Sequence, residues 1–395
     1  MPAGIGRHPC RGRPAQPPAP ERARMNILVL NWRDMKHPEA GGAEVHFQQL
    51  FRRLAARGHR ITLLTTRFPG STREDRQDGI RVLRWGHTYT FNWEAPWFVR
   101  TLARRERFDC IVDDVNKIPF FTPRWFPRLP VCAFFHHLFG ATIFDLAAYP
   151  LARYVLFFEN LSAWGYRNVS CCAVSPSTVE DMVAHGFDRT HIRIIENSVD
   201  ADRYVPPADR SVKRSDMLVF MGRIKRYKNL EIVLDALRVL ADRGRQLQLV
   251  VAGTGDHEDH LKERTAALGL EQLVRFAGFV DDDEKTSLLQ QATLFVNPSH
   301  KEGWGIANIE ANACGTAVVA NNAPGLRDSV RHGQTGLLYR ENDKDNLITC
   351  ITDLLDNPDK RRRLEAQGRE WAVSLSWDSS AAKVEQWLTE VSRKE

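Results

Sequence analysis

Four charged residues in the second half of the chain have the types and spacing to hold an anionic, hydroxyl-bearing ligand. Arg223 and Lys228, in MGRIKRYKN, fall just past an apolar run and on the loop that enters a helix. Two cations beside a helix N-terminus suit an anion such as a diphosphate. A basic loop facing solvent would read the same way. Glu302 and Glu310 follow the run LFVNPS, with Gly303 and Gly305 between them. Small residues let backbone N–H groups approach a phosphate, and a helix beginning near Ile306 aims its positive end at that point. Glu310 then lies about one turn inside this helix, able to accept hydrogen bonds from vicinal hydroxyls such as those of a ribose. Two glutamates at this spacing also arise by chance on a solvated helix. The preceding strand, the glycines and the downstream CGTAVVA turn and strand set this pair apart.

Other candidates read as structure. Asp281, Asp282 and Asp283 precede the helical EKTSLLQQA, where acidic residues cap an N-terminus rather than bind a metal. Gly253-Thr254-Gly255 lacks the third glycine of a dinucleotide fingerprint, and reads as backbone near a nucleotide at most. No G-x-x-x-x-G-K-[ST] loop is present, which argues against an ATPase. The segments IPFFTPRWFPRLP (118–130) and YPLARYVLFFENLSAWG (149–165) interleave aromatics with arginines. They read either as core and loop packing or as an interfacial surface.

The elements that would position these residues alternate between strand and helix. MNILVLNW opens the pattern, and GGAEVHFQQLFRRLAARGH follows with Phe47, Leu50, Phe51 and Leu54 at helical spacing and Gly58 as C-cap. Apolar runs at 61–66, 110–114, 131–135 and 169–175 read as further strands. The pattern restarts at MLVFMG (217–222), continues through a helix at Leu230–Leu240, and repeats at 247–253, 274–280, 292–299 and 316–322. Such alternation predicts an α/β protein of two doubly wound parallel sheets, with ligands at the carboxyl ends of the strands. The expected division is an N-terminal domain over 25–200, a C-terminal domain over 201–375, and a helix over 376–395 packing back on the first domain. The joint falls in DADRYVPPADRSVKR. Residues 1–24 are rich in Pro, Gly, Ala and Arg and predict a disordered tail, dispensable for activity, with Met25 as a candidate natural start.

The ordered set of motifs resembles a retaining glycosyltransferase of family 4, a GT-B fold of two Rossmann-like domains. GRIKRYKN resembles that family's diphosphate loop, and E-GWGIANI-E its donor-binding pair of glutamates. GFV (278–280), PS (298–299), EANACGTAVVA (310–320) and GLRDSVRHGQTGLL (325–338) match in order. In the first half, GGAE (41–44) resembles the glycine loop after strand one, PVCAFFHH (130–137) the strand ending in histidine, and NSVD (197–200) the interdomain NGVD. The resemblance implies that Arg223 and Lys228 neutralise the leaving diphosphate in place of a metal ion, helped by backbone near Gly41 and Gly42. It implies that Glu310 holds the ribose and Glu302 the sugar hydroxyls, and that His136 borders the anomeric centre. Gly253, Gly303, Trp304, Gly305 and Ile306 would line the donor. The implied partners are a nucleotide-sugar donor and an acceptor sugar, lipid-linked sugar or small molecule; no cofactor is implied. Four departures stand out: His137 where aspartate is usual, Trp304 for phenylalanine, Asn312 for methionine, and Ser198 for a glycine. A nucleotide-sugar epimerase and a non-catalytic nucleotide-sugar binding protein are the alternatives on the same architecture.

Composition narrows the classes further. The chain has 395 residues, 43% hydrophobic and 26% charged, which fits a globular protein of two domains. No window approaches the ~18 apolar residues of a spanning helix, and no apolar stretch follows the N-terminal arginines before Ile27. The 7 cysteines lack zinc-ligand or C-x-x-C spacing and read as buried, reduced thiols of a cytoplasmic protein. The net charge of +6 is carried by the first half and the tail, because 201–395 holds more acidic than basic residues. That bias suits a phosphate-bearing substrate or an anionic inner membrane face as well as it suits ordinary solubility. No zinc-finger or RNA-binding signature points to nucleic acid.

Overall fold

The computed structural model describes residues 24–116, 118–145 and 148–393. All but the last residue of the predicted disordered tail lies outside them. The N-terminal sheet has eight strands: β1 (Asn26–Leu30), β2 (Arg60–Thr66), β3 (Glu74–Gln77), β4 (Ile80–Gly86), β5 (Cys110–Val115), β6 (Val131–Phe135), β7 (Ser170–Ala173) and β8 (Ile192–Ile194). They lie in the order β3-β4-β2-β1-β5-β6-β7-β8, parallel except for β3, which pairs antiparallel to β4 at one edge. The C-terminal sheet has β9 (Met217–Met221), β10 (Gln248–Ala252), β11 (Val274–Gly278), β12 (Leu294–Asn297), β13 (Ala317–Asn321) and β14 (Gly336–Tyr339). Their order is β11-β10-β9-β12-β13-β14, parallel throughout. Both sheets are covered on both faces by helices, so their strands are continuous apolar runs rather than alternating ones. Two such α/β sheets facing one another define the GT-B fold.

Four strands lie outside the apolar runs read from the sequence: β3, β4, β8 and β14. β3, EDRQ, has no apolar residue, and β4 buries Arg84 in its middle. The buried guanidinium is held by two bonds to Asp34, from Nε to Oδ2 at 2.7 Å and from a terminal nitrogen to Oδ1 at 3.0 Å, which makes an arginine tolerable inside a core.

The chain crosses between the sheets twice, side by side. Val199 bridges to Ser376, and the Ser198 hydroxyl meets that of Ser380 at 3.0 Å. After the second crossing the helix Trp377–Ser392 lies on the N-terminal domain, where Trp377, Val384 and Trp387 pack with Phe47, Phe51 and Phe134. Residues 376–393 therefore close the N-terminal core rather than the C-terminal one. Cys110, Cys132, Cys171, Cys172, Cys314 and Cys350 are free and buried, and burial raises each thiol's pKa. Among the described residues no helix is long and apolar enough to cross a membrane.

Candidate functional site

The carboxyl ends of β1, β9 and β12 each release a glycine-containing loop, and the three loops meet between the domains. After β1 the chain reaches Gly41, whose N–H donates to Glu44 Oε2 at 2.7 Å and so starts the helix Gly42–Ala56. After β9 comes Arg223, with its guanidinium carbon 3.5 Å from where a Gly41 Cβ would stand. After β12 the loop runs through Glu302 and Gly305 into the helix Ile306–Ala313, and the Ile306 side chain lies 3.7 Å from a Cβ built on Gly42. Gly305, at φ +84°, takes the left-handed turn that glycine allows there. Two helix N-termini, from opposite domains, thus point at one place beside Arg223, an arrangement that favours an anion.

The remaining cations and carboxylates surround this point. Lys228 ends a short turn, Arg226–Lys228, and its ammonium pairs with Glu302. Burial opposes the charge on Lys228, but the Glu302 carboxylate outweighs it and holds the pKa above the usual lysine value. Glu310 is buried; it accepts from Lys285 Nζ at 2.7 Å, and the Tyr204 hydroxyl also bonds to it. Gly253 donates to the Gly278 carbonyl at 2.7 Å, and a Cβ on Gly253 would strike the Gly222 carbonyl, so this glycine sets the packing of the β9 loop. Trp304 is buried in the C-terminal core with an unpartnered Nε1.

The two histidines divide their roles. His136 Nε2 lies 2.6 Å from Asp114 Oδ1, its ring meets His46 edge-on, and its carbonyl abuts Gly303. His137 packs edge-on against Phe139, and burial, then His136, Lys301, Arg223 and Lys228 push its pKa down to about 3. It is therefore His137 that feels the cations of the cleft, while the His136 ring is fixed by Asp114.

Sequence reasoning missed four participants. Arg33 lies near Arg223; burial first, and then that like charge, lower its pKa against the pull of Glu39 and Glu44. Lys301 reaches Asp181 across the cleft at 2.7 Å, and Lys285 and Tyr204 complete the Glu310 pocket. Lys301 directly precedes Glu302 and Arg33 directly follows the β1 run, but in all four it is the pairing made by the fold that identifies the residue. Asp281 accepts from the Asp283 and Glu284 N–H groups at 3.0 and 2.8 Å, the capping role expected of it. A shallow depression bounded by Arg104, Arg107 and Pro130 lies at the amino ends of β5 and β6, the wrong end of the sheet for this site.

Facing α/β domains with these groups converging at their strand ends define a GT-B glycosyltransferase. Two family descriptions match the chain: Glycosyl transferases group 1 over residues 206–371 and Glycosyltransferase Family 4 over residues 40–203. The chain belongs to the group 1 glycosyltransferases of the family 4 type. It is 31% identical to D-inositol 3-phosphate glycosyltransferase of Corynebacterium jeikeium over 51% of this chain and 53% of that protein, about half that relative's length. It is 26% identical to glycogen synthase of Mycobacterium tuberculosis over 92% of this chain and 94% of that protein. Among solved structures it resembles sucrose-phosphate synthase of Thermosynechococcus elongatus, with TM-score 0.79 and 22% identity over 93% of this chain and 99% of that one. It also resembles Anabaena HepE in complex with UDP-glucose, with TM-score 0.75 and 19% identity over 93% and 100% of the two chains.

Proposed function

We propose that this glycosyltransferase moves a hexosyl group from a nucleoside-diphosphate sugar to an acceptor hydroxyl with retention of configuration and without a metal ion. The observation that carries the reading is the convergence of two helix N-termini, Arg223 and Lys228 on one point between the domains. Those groups supply the positive charge that a leaving diphosphate needs, which is the role a metal ion fills elsewhere. Glu310, held by Lys285 and Tyr204, turns its carboxylate to the ribose hydroxyls. Glu302 leaves Lys228 when the diphosphate arrives and turns to the sugar hydroxyls. His136, fixed by Asp114, borders the anomeric carbon, and His137 stays neutral at pH 7. The bond from the anomeric carbon to the departing phosphate oxygen breaks first, through an oxocarbenium-like state. The acceptor oxygen then bonds on the same face, and its proton passes to that phosphate oxygen. The protein's contribution is positioning and electrostatics. The anomeric coupling in the proton NMR spectrum of the product tests this, with chelator present. An α-linked product from an α-linked donor fits, and an inverted product or a strict metal requirement contradicts it.

The acceptor arrives from a surface suited to an anionic bilayer, as in assembly of a glycolipid or a surface polysaccharide. Phe120, Ala152 and Val155 of the aromatic segments enter the core, yet Trp125, Tyr149, Phe157 and Trp164 of those segments stay exposed, as does Trp97 on the separate helix Phe91–Ala103, by 71%. Arg124 lies over Trp164 at 4.2 Å, and Phe144, on the turn that abuts Arg226–Lys228, meets Tyr149. Exposed aromatics threaded with arginines are the composition of an interfacial surface. Sedimentation with phosphatidylglycerol vesicles should fall at least ~10-fold for the Trp97→Ser/Trp125→Ser variant. Unchanged sedimentation removes the membrane reading.

A further inference from the structure

We propose a second ligand site in the C-terminal domain, for a divalent transition-metal ion of the zinc class, formed by Glu231, His257 and His260. Glu231 lies in the first turn of the helix Leu230–Asp242, His257 precedes the helix Glu258–Ala267, and His260 lies in that helix's first turn. The imidazoles are stacked, with centroids 4.7 Å apart and planes at 28°. Both turn their Nε2 atoms to the same carboxylate oxygen: His257 stands 2.5 Å and His260 3.9 Å from Glu231 Oε1. One donor atom from each residue falls within a span of 4.8 Å.

Three features favour an ion over a plain hydrogen bond. The second carboxylate oxygen, Glu231 Oε2, is buried with no hydrogen-bond partner, an expensive state that a cation would relieve. Two imidazoles and a carboxylate form the donor set of zinc and its neighbours, whereas magnesium and calcium favour oxygen ligands throughout. His260 is 56% exposed on its side chain, which leaves an entry path and room for a bound water as fourth ligand. Donors about 2.1 Å from a tetrahedral ion stand roughly 3.4 Å from one another, so an ion would part His257 Nε2 from Glu231 Oε1 and draw His260 closer.

The site has a consequence for the cleft, and this part rests on the proposed function. The segment that carries His257 packs on the diphosphate loop: His257 N–H donates to the Ile224 carbonyl at 3.3 Å, and Lys225 Nζ meets Asp256 at 2.6 Å. An ion joining Glu231 to the two histidines fastens both ends of the Arg223–Lys228 loop without touching the donor. It is a structural staple, outside the chemistry, so turnover in chelator persists.

The test is a zinc titration of the full-length, chelator-stripped chain by calorimetry, repeated with cobalt and followed in visible absorption. The wild type should bind one equivalent at this site with Kd of roughly 1–10 μM, give tetrahedral cobalt bands, and gain a few degrees in Tm with zinc. His260→Ala and Glu231→Gln should weaken zinc at least ~100-fold and lose the bands. His260 is on the surface, so an unchanged Tm of its variant in chelator shows that the fold is intact. Equal zinc affinity in wild type and both variants would place the ion elsewhere and overturn the proposal, as would no binding at all. Neither readout involves glycosyl transfer, so a failure of the proposed function leaves this result standing.

Discussion

Lys228 and Glu302 give the sharpest test of how the cleft works, because they are bound to each other in the structure and assigned to different parts of the donor. Their side chains are 12% and 17% exposed. Unit charges about 4 Å apart in an effective dielectric of about 20 attract by about 4 kcal/mol. Desolvation and residual solvent contact offset roughly half of that. Lys228→Met keeps the volume, leaves the Glu302 charge unpaired, and should lower unfolding stability by about 2 kcal/mol. Its kcat/KM should fall roughly 100-fold or more, because a cation at the leaving diphosphate is worth about 3 kcal/mol. Adding Glu302→Gln removes the unpaired charge. The double variant should therefore regain most of the lost stability while its kcat/KM stays low. Urea unfolding and donor kinetics on the two single variants and the double variant complete the cycle. If the double variant recovers activity along with stability, or Lys228→Met keeps full kcat/KM, Lys228 acts only as a structural partner and the diphosphate role fails.

Two further outcomes follow from the contacts between the domains. A Cβ on Gly303 would stand 2.4 Å from the His136 carbonyl, so Gly303→Ala must push the domains apart. It should cost about 1–3 kcal/mol of stability and lower kcat/KM more than ~10-fold; wild-type kinetics would show that the close approach is dispensable. The second concerns His137, whose folded pKa is about 3, well below the ~6.5 of an unfolded histidine. Between those values the unfolded chain binds more protons, so this contribution is fully present above pH ~6.5 and is lost as pH falls toward 3. His46, held low by burial and then by His136, acts in the same direction. Moving from pH 7 to pH 5 should remove about 1–2 kcal/mol for His137 alone, and His137→Gln should show a correspondingly flatter profile; equal profiles would contradict the assignment.

The parts of the fold that were legible in the sequence are those where burial on both faces leaves continuous apolar strands. β1, β2, β5, β6 and the first strands of the second sheet follow from runs such as NILVL and MLVFM. β3 and β4 were not legible as apolar runs, because EDRQ is wholly polar and Arg84 becomes tolerable in a core through Asp34, fifty residues away, and Asp75. The charged loop residues could be singled out because their chemistry is local: a cation or carboxylate beside a glycine and a helix start. Arg33, Lys285 and Tyr204 could not, since what marks them is a partner brought in by the fold. The histidine pair shows the same limit. HH names two imidazoles, but only Asp114 at the end of β5 decides which ring is fixed and which one meets the cations.

The most direct test of the central claim is release of nucleoside diphosphate by the purified chain, offered UDP-, GDP-, ADP- and dTDP-hexoses in EDTA, with Glu310→Ala as control. The expected result is slow hydrolysis of one donor that survives the chelator and disappears in the variant. Absence of both binding and turnover with every donor, or turnover that Glu310→Ala leaves intact, would contradict the assignment of this cleft to a nucleotide sugar.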